Sequence, residues 1–192
     1  MNEPAIPAVE RAYLRELARR QAEYAALPVM AERRRMWYDL NDGVPGAPPP
    51  VVVETLTFDR DFLPENVFRC ASEDGRAIER QLLRAVRNHE LIDDDKVVPA
   101  AYDVGWLLAI DRFGVEIPRE TVLDAMGVPT GYRFPHPIAD LERALNLLKP
   151  PRCPVDREGT LARKAFLEDL SGDALPLLPV GTVPPAAFLA TA

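Results

Sequence analysis

Apolar positions first recur at helical spacing. Leu14, Leu17, Gln21, Tyr24 and Ala25 fall near one face of a helix over 10–26, with Arg15, Arg19 and Glu23 outside it. Pro28 suits the first turn of a second helix, where its missing N–H is not needed. Met30, Trp37 and Leu40 stripe that helix to about Asn41, and Gly43 follows as a stop. A short turn between two amphipathic helices predicts a helical hairpin. On it the basic run Arg33-Arg34-Arg35 is most simply a solvated face.

After the stiff linker Gly46-Ala47-Pro48-Pro49-Pro50 the pattern changes. Residues 51–56 are β-branched and compact, which predicts a buried strand. Residues 57–69 show no clear period. Ser72 is an N-cap for a long helix over 73–91, with Glu73 and Asp74 in its first turn. Ile78, Leu82, Ala85, Val86 and His89 mark its inner face, and Asp93-Asp94-Asp95 ends it in a turn. Further on the pattern predicts a strand over 97–102, an apolar segment over 106–110 and a short helix over 118–125. Helices over 137–148 and 157–170 follow, with Leu161, Ala162, Phe166 and Leu170 on the apolar side of the second and Gly172 as its C-cap. A last strand is expected over 175–182, interrupted by Pro176 and Pro179, before the apolar segment 184–190. A strand followed by an apolar segment needs cover, from the domain itself, from a partner chain or from further sequence.

Composition narrows the class. The 192 residues are 47% hydrophobic, ample for a domain with a core. A net charge of -7 argues against nucleic acid or an anionic membrane as the main partner. Met1-Asn2-Glu3-Pro4 starts no secretory signal, and no run approaches the roughly 20 apolar residues that span a bilayer. Two cysteines, Cys70 and Cys153, make no disulfide framework, so reduced thiols in the cytoplasm are expected. The 20 prolines are spread along the chain and read as element boundaries.

Candidate chemistry is sparse. Cys70, His89, His136 and Cys153 stand alone, with no pair at metal-ligand spacing, so no metal site and no cofactor is expected. His89 on an apolar stripe reads as a hydrogen-bonded core imidazole, and His136 between two prolines as a loop residue. Glu54 follows three valines, and Asp103 follows the 97–102 segment with Tyr102 and Trp106 beside it. Acids and aromatics at strand ends can bind a ring-shaped or cationic ligand or act as general acid and base. The competing reading is an acid that caps a neighbouring helix or faces water. No glycine-rich phosphate loop and no Gly-x-Ser-x-Gly is present.

Residues 13–18, 25–28, Glu32-Arg33-Arg34-Arg35-Met36-Trp37 and Leu40-Asn41-Asp42 resemble the N-terminal helices of a divergent branch of the uroporphyrinogen decarboxylase superfamily. Val51-Val52-Val53-Glu54, the 70–91 helix, the 97–114 segment, Asp140-Leu141-Glu142 and Leu148-Lys149-Pro150-Pro151 agree in order. The resemblance implies a helical preface over 1–45 and, over 46–192, the first part of a TIM-type (β/α) barrel. A whole barrel takes about 250 residues, so a further C-terminal portion is implied. It also implies a lyase or methyltransferase acting on a tetrapyrrole or a methyl donor, the latter with a corrinoid protein. The family's Arg-Gln-Ala-Gly-Arg motif and the His-x-Cys zinc motif of its methyltransferases are absent, so no catalytic residue is carried over.

The expected architecture is therefore α/β, a helical hairpin followed by an incomplete barrel, inactive alone. The alternative is a non-catalytic binding or assembly module that dimerises or docks on a partner subunit. A third reading is a cofactor-free enzyme built on Glu54, Asp103 and their neighbours.

Overall fold

A computed structural model describes residues 6–109, 113–125, 127, 129–136, 138 and 140–180. The first helix, α1 (Ala8–Ala25), buries Glu10, Leu14, Leu17, Ala18, Gln21 and Ala25. Successive positions lie three or four apart, except for the neighbours Leu17 and Ala18, so one stripe faces inward. Pro28 opens α2 (Pro28–Asn41) at its first turn, as its missing N–H allows. Both expected helices form with a short turn between them, but the buried stripe of α2 is narrower than the sequence suggests. Met30 is fully buried, whereas Leu40 is 46% exposed. Met30 packs with Ala25 and Val98, and its sulfur accepts the Val98 N–H at 3.4 Å.

Residues 51–55 are not a sheet strand, contrary to expectation. Two of their N–H groups go to carboxylates. Asp95 Oδ2 accepts from Val51 N at 2.7 Å, and Asp94 Oδ2 from Val53 N at 3.0 Å. The β-branched run pairs with no strand among the described residues; Asp94 and Asp95 hold it instead, and Val51 is 66% exposed. A 3₁₀ turn at Leu56–Phe58, the short helix α3 (Asp59–Phe62) and a second 3₁₀ turn at Glu65–Val67 lead to α4 (Glu73–Leu91). Ser72 caps α4 by accepting the Gly75 N–H at 3.2 Å, as its sequence announces. Gly75 is required by space. A Cβ there would lie 2.5 Å from Ser72 Oγ and 2.6 Å from Glu10 Oε2.

The strand β1 (Tyr102–Gly105) pairs parallel with β6 (Leu177–Val180). β1 thus begins where the 97–102 strand was expected to end. Before it, Gln21 Nε2 donates to the carbonyls of Pro99 at 2.8 Å and Ala101 at 3.3 Å, which fixes residues 99–101 without a sheet partner. The helix α6 (Arg157–Ser171) ends at Gly172, whose φ of 60° suits a helix stop. Arg15 donates to the carbonyls of Leu170 at 2.7 Å and Asp169 at 2.8 Å, satisfying the last turn of α6.

By contacts the chain divides into two units, Met1–Gly105 with Leu161–Ala192, and Trp106–Thr160. The first holds the main core. Leu14 and Leu17 of α1, Ile78, Leu82 and Leu83 of α4, Tyr102 and Val104 of β1, and Leu167 and Leu170 of α6 are all buried in it.

The second unit is built otherwise. β2 (Leu107–Leu108) pairs antiparallel with β5 (Val155–Asp156), and β3 (Glu120–Leu123) pairs antiparallel with β4 (Pro129–Arg133), with a register shift between Val122 and Leu123. β3 replaces the helix expected over 118–125. Thr121 and Val122 are β-branched and favour the extended chain over the helix that Pro118 suggests. The helix expected over 137–148 shrinks to α5 (Leu141–Ala144) and a 3₁₀ turn at Leu145–Leu147, while Pro137 and Ala139 lie outside the described residues. Asp156 Oδ1 accepts the Gly159 N–H at 2.8 Å and caps the start of α6. Thr160 Oγ1 accepts from Leu107 N at 3.0 Å and donates to Asp156 O at 2.6 Å.

The protein is thus mixed α/β. Its strands form three two-stranded sheets, and none of them is closed among the described residues. The end of the last expected strand and the apolar segment 184–190 lie outside the described residues. No helix among the described residues is long and apolar enough to cross a membrane.

Candidate functional site

The four residues singled out from the sequence do not form one constellation. Glu54 is exposed in the 51–55 segment, and its Oε1 accepts the Leu56 N–H at 2.7 Å. It fastens its own turn and stands at no strand end. Tyr102 points into the core and is 6% exposed. Burial pushes its hydroxyl up to about 12, so it stays protonated at neutral pH. Asp103 alternates with it on β1 and faces the opposite, exposed side. Its backbone carbonyl accepts from Gln81 Nε2 at 3.2 Å. Trp106 is half-buried and belongs to the second unit.

A denser cluster of titratable groups went unread. Glu79 of α4 is fully buried, and its two oxygens accept the N–H groups of Arg69 at 2.7 Å and Cys70 at 3.0 Å. Glu10 of α1 accepts the next two, Ala71 N at 2.9 Å and Ser72 N at 3.3 Å, and Ser72 Oγ donates to it at 2.5 Å. Two carboxylates therefore hold four consecutive backbone N–H groups just before α4. The hydrogen bond from the Ser72 hydroxyl, joined by the Ala71 N–H, draws the Glu10 carboxyl below its ordinary value against its desolvation. Cys70 lies between the two acids. Burial, with the charges of Glu79 and Glu10 beside it, pushes its thiol up to about 12. A thiol held protonated is a poor nucleophile and a poor metal ligand. Burial, with Glu79 beside its hydroxyl, likewise holds Tyr13 well above its ordinary value. With the carboxylate oxygens occupied by backbone N–H groups and the Ser72 hydroxyl, the cluster is a clamp and not a reaction centre.

One signal in the sequence could have exposed this clamp. Glu10 continues the Leu14, Leu17, Gln21 stripe one turn earlier, and Glu79 sits between Ile78 and Leu82. An acid on an apolar stripe requires a partner.

Beside the clamp a groove of about 540 Å³ runs between α1 and α4. Its floor includes Leu17, Leu83 and Val86. Most of its charges are engaged within the chain. Arg20 pairs with Glu90 at 2.6 Å, Arg19 with Glu16 at 3.3 Å, and Arg87 Nε donates to Phe62 O at 3.0 Å.

His89 packs against Tyr24 with ring centroids 4.5 Å apart. Its buried Nδ1 has no hydrogen-bond partner among the described residues. The expected core hydrogen bond is therefore absent at that nitrogen, and ring packing holds the imidazole. His136 and Cys153 are exposed. Among the described residues, no group of three or more His, Cys, Asp or Glu side chains is placed to hold a metal ion.

Comparison with protein-family models, with curated proteins and with solved structures gave no match.

Proposed function

We propose that the first unit is the opening of a uroporphyrinogen-decarboxylase-like barrel, a helical preface with early strands of the barrel wall. The observation that carries this reading is the two-sided character of the parallel pair β1–β6. Tyr102 and Val104 pack into the helix-lined core, whereas Asp103 and its register partner Leu178 are exposed on the other face. Parallel strands are ordinarily covered on both faces, in a barrel by helices outside and by each other inside. The bare face is what a closed barrel would turn inward. The order of motifs noted in the sequence adds support. In this reading the whole protein is a lyase or methyltransferase of the tetrapyrrole or corrinoid-linked kind, and this portion is inactive alone. Asp103 is the one candidate left on the inner face. Reading the coding frame beyond the Ala192 codon tests the proposal. Further strand–helix units are expected there, and an immediate stop codon would overturn it.

A second reading, a binding or assembly module, draws on the second unit. Val122, Leu123, Tyr132 and Phe134 are each more than half exposed, apolar side chains that a partner could cover. Light scattering on the purified chain decides it. A defined mass of two chains favours the module, and a monomer at high concentration counts against self-association.

A further inference from the structure

The run Arg33-Arg34-Arg35 does not behave as a uniform solvated face. Arg33 is buried, and its Nη1 donates to Lys96 O at 3.0 Å. Arg35 pairs with Asp39 at 3.7 Å. Arg34 does neither. Its Nη2 reaches only the carbonyl of Ala25, at 3.3 Å, and no carboxylate pairs with it among the described residues. It lines an open cleft of about 400 Å³, whose other walls are Trp37, Tyr38, Val52, Lys96 and Val97. Lys96 stands in the same position as Arg34. Its Nζ reaches the carbonyl of Val53 at 3.3 Å and has no acidic partner among the described residues.

Two features set this cleft apart. First, its charges share one sign. The protein carries 30 acidic residues against 23 basic ones, yet no acid lines this cleft and both of its ionic side chains are cations. The neighbouring acids are spent elsewhere. Asp95 Oδ2 accepts Val51 N, and Asp94 holds Val53 N, Asn88 Nδ2 and Lys96 N. Second, the indole of the aromatic wall is set in place beforehand. Arg34, Trp37 and Tyr38 are three and four residues apart and share one face of α2. Trp37 Nε1 donates to Asp95 O at 3.1 Å, which orients the indole.

We propose that this cleft binds a small organic acid with a flat apolar body, the ring lying against Trp37 and Tyr38 and its carboxylate meeting Arg34 and Lys96. The size fits a compact ligand, and a few charged groups beside an apolar wall are the usual composition of such sites. The site is independent of the barrel reading, since it uses only α2 and the 51–55 and 94–97 segments.

The test is a titration of the whole chain with 1-naphthoate, followed by the indole N–H resonance of Trp37 and the amides of Lys96 and Val97. The Trp106 indole serves as internal reference. A saturable shift at Trp37 is expected. The neutral isostere 1-naphthalenemethanol should bind roughly tenfold or more weakly, because charge-assisted hydrogen bonds would be lost. Arg34→Gln and Lys96→Gln should each weaken naphthoate by a similar factor. Arg34→Gln alters an exposed side chain and leaves the fold intact, so it decides even where Lys96→Gln disturbs the 51–55 segment. A shift that does not saturate, equal binding of acid and alcohol, or full binding by Arg34→Gln would each overturn the proposal and reduce the cleft to general apolar association.

Discussion

The two units use apolar residues in opposite ways. In the first, Leu14 and Val86 are 1% exposed and Met30 is fully buried. In the second, Ala144 is the one buried apolar side chain among the described residues, while Leu123, Phe134 and Leu147 are 55%, 57% and 60% exposed. Hydrogen bonds can set a strand register in either case. Only the first unit adds the removal of large side chains from water, about 1.5–3 kcal/mol for each fully buried Leu or Val. Stability should therefore reside in the first unit, and substitutions can break that contrast.

The largest effect is expected from Leu82→Ala. Leu82 is 2% exposed in the middle of α4 and packs in the main core. Removing three carbons from such a site costs about 2–5 kcal/mol, depending on how far the cavity collapses. Urea denaturation followed by circular dichroism at 222 nm measures it, since the helices dominate that signal. A cost below about 1 kcal/mol would mean that the first unit is no better packed than the second.

Next in size is Glu79→Gln. Each carboxylate oxygen of Glu79 accepts a backbone N–H. A carboxamide can accept with its oxygen, but its NH₂ would face the second N–H, leaving one buried donor without an acceptor. That loss is worth about 1–3 kcal/mol. Hydrogen exchange gives a local readout. The amides of Arg69 and Cys70 should lose protection, and those of the second unit should not change. Equal loss across both units would contradict the division between them.

The third effect depends on pH. The native Glu10 carboxyl lies below its ordinary value, so its ionised form is preferred in the folded state. For a lowered carboxyl, the stabilisation is fully present above the unfolded value. It is lost as pH falls through the native one. Stability should therefore decline below the ordinary glutamate value of 4.5 and level off beneath the lowered one. In Glu10→Gln this part of the acid slope should flatten, because nothing at that position titrates. A slope identical in both proteins would assign the acid sensitivity to other groups.

What was legible in the sequence follows the same boundary. α1, α2, α4 and α6 could be read closely because apolar spacing, Pro28, Ser72 and Gly172 all pointed the same way. Residues 51–55 could not, because β-branched residues favour extended backbone without saying what accepts its N–H groups. Here the acceptors are aspartates some forty residues away. The hairpin β3–β4 was missed because Pro118 and Glu120 imitate a helix start, and because a unit without a buried face shows no clean alternation. Among the candidate residues, the alternation on β1 separated Asp103 from Tyr102 only once it was known which face packs inward. The clamp is hard to read because the N–H groups that Glu10 and Glu79 hold lie at residues 69–72, at the end of a stretch without a clear period.

The smallest effect completes the contrast. Leu123→Ser replaces a leucine that is 55% exposed near the end of β3. The substitution removes little surface that folding had taken from water, and its backbone position opposite Pro129 is unchanged. The expected cost is within about 0.5 kcal/mol, as for surface substitutions in general. The same substitution removes apolar area from the face on which a partner would dock. A chain that self-associates through β3–β4 should then lose mass in light scattering while its melting temperature at low concentration stays put. If Leu123→Ser instead unfolds the second unit, judged by exchange of the Thr121 and Tyr132 amides, then that leucine is holding the hairpin together, and its exposure is not the mark of a free surface.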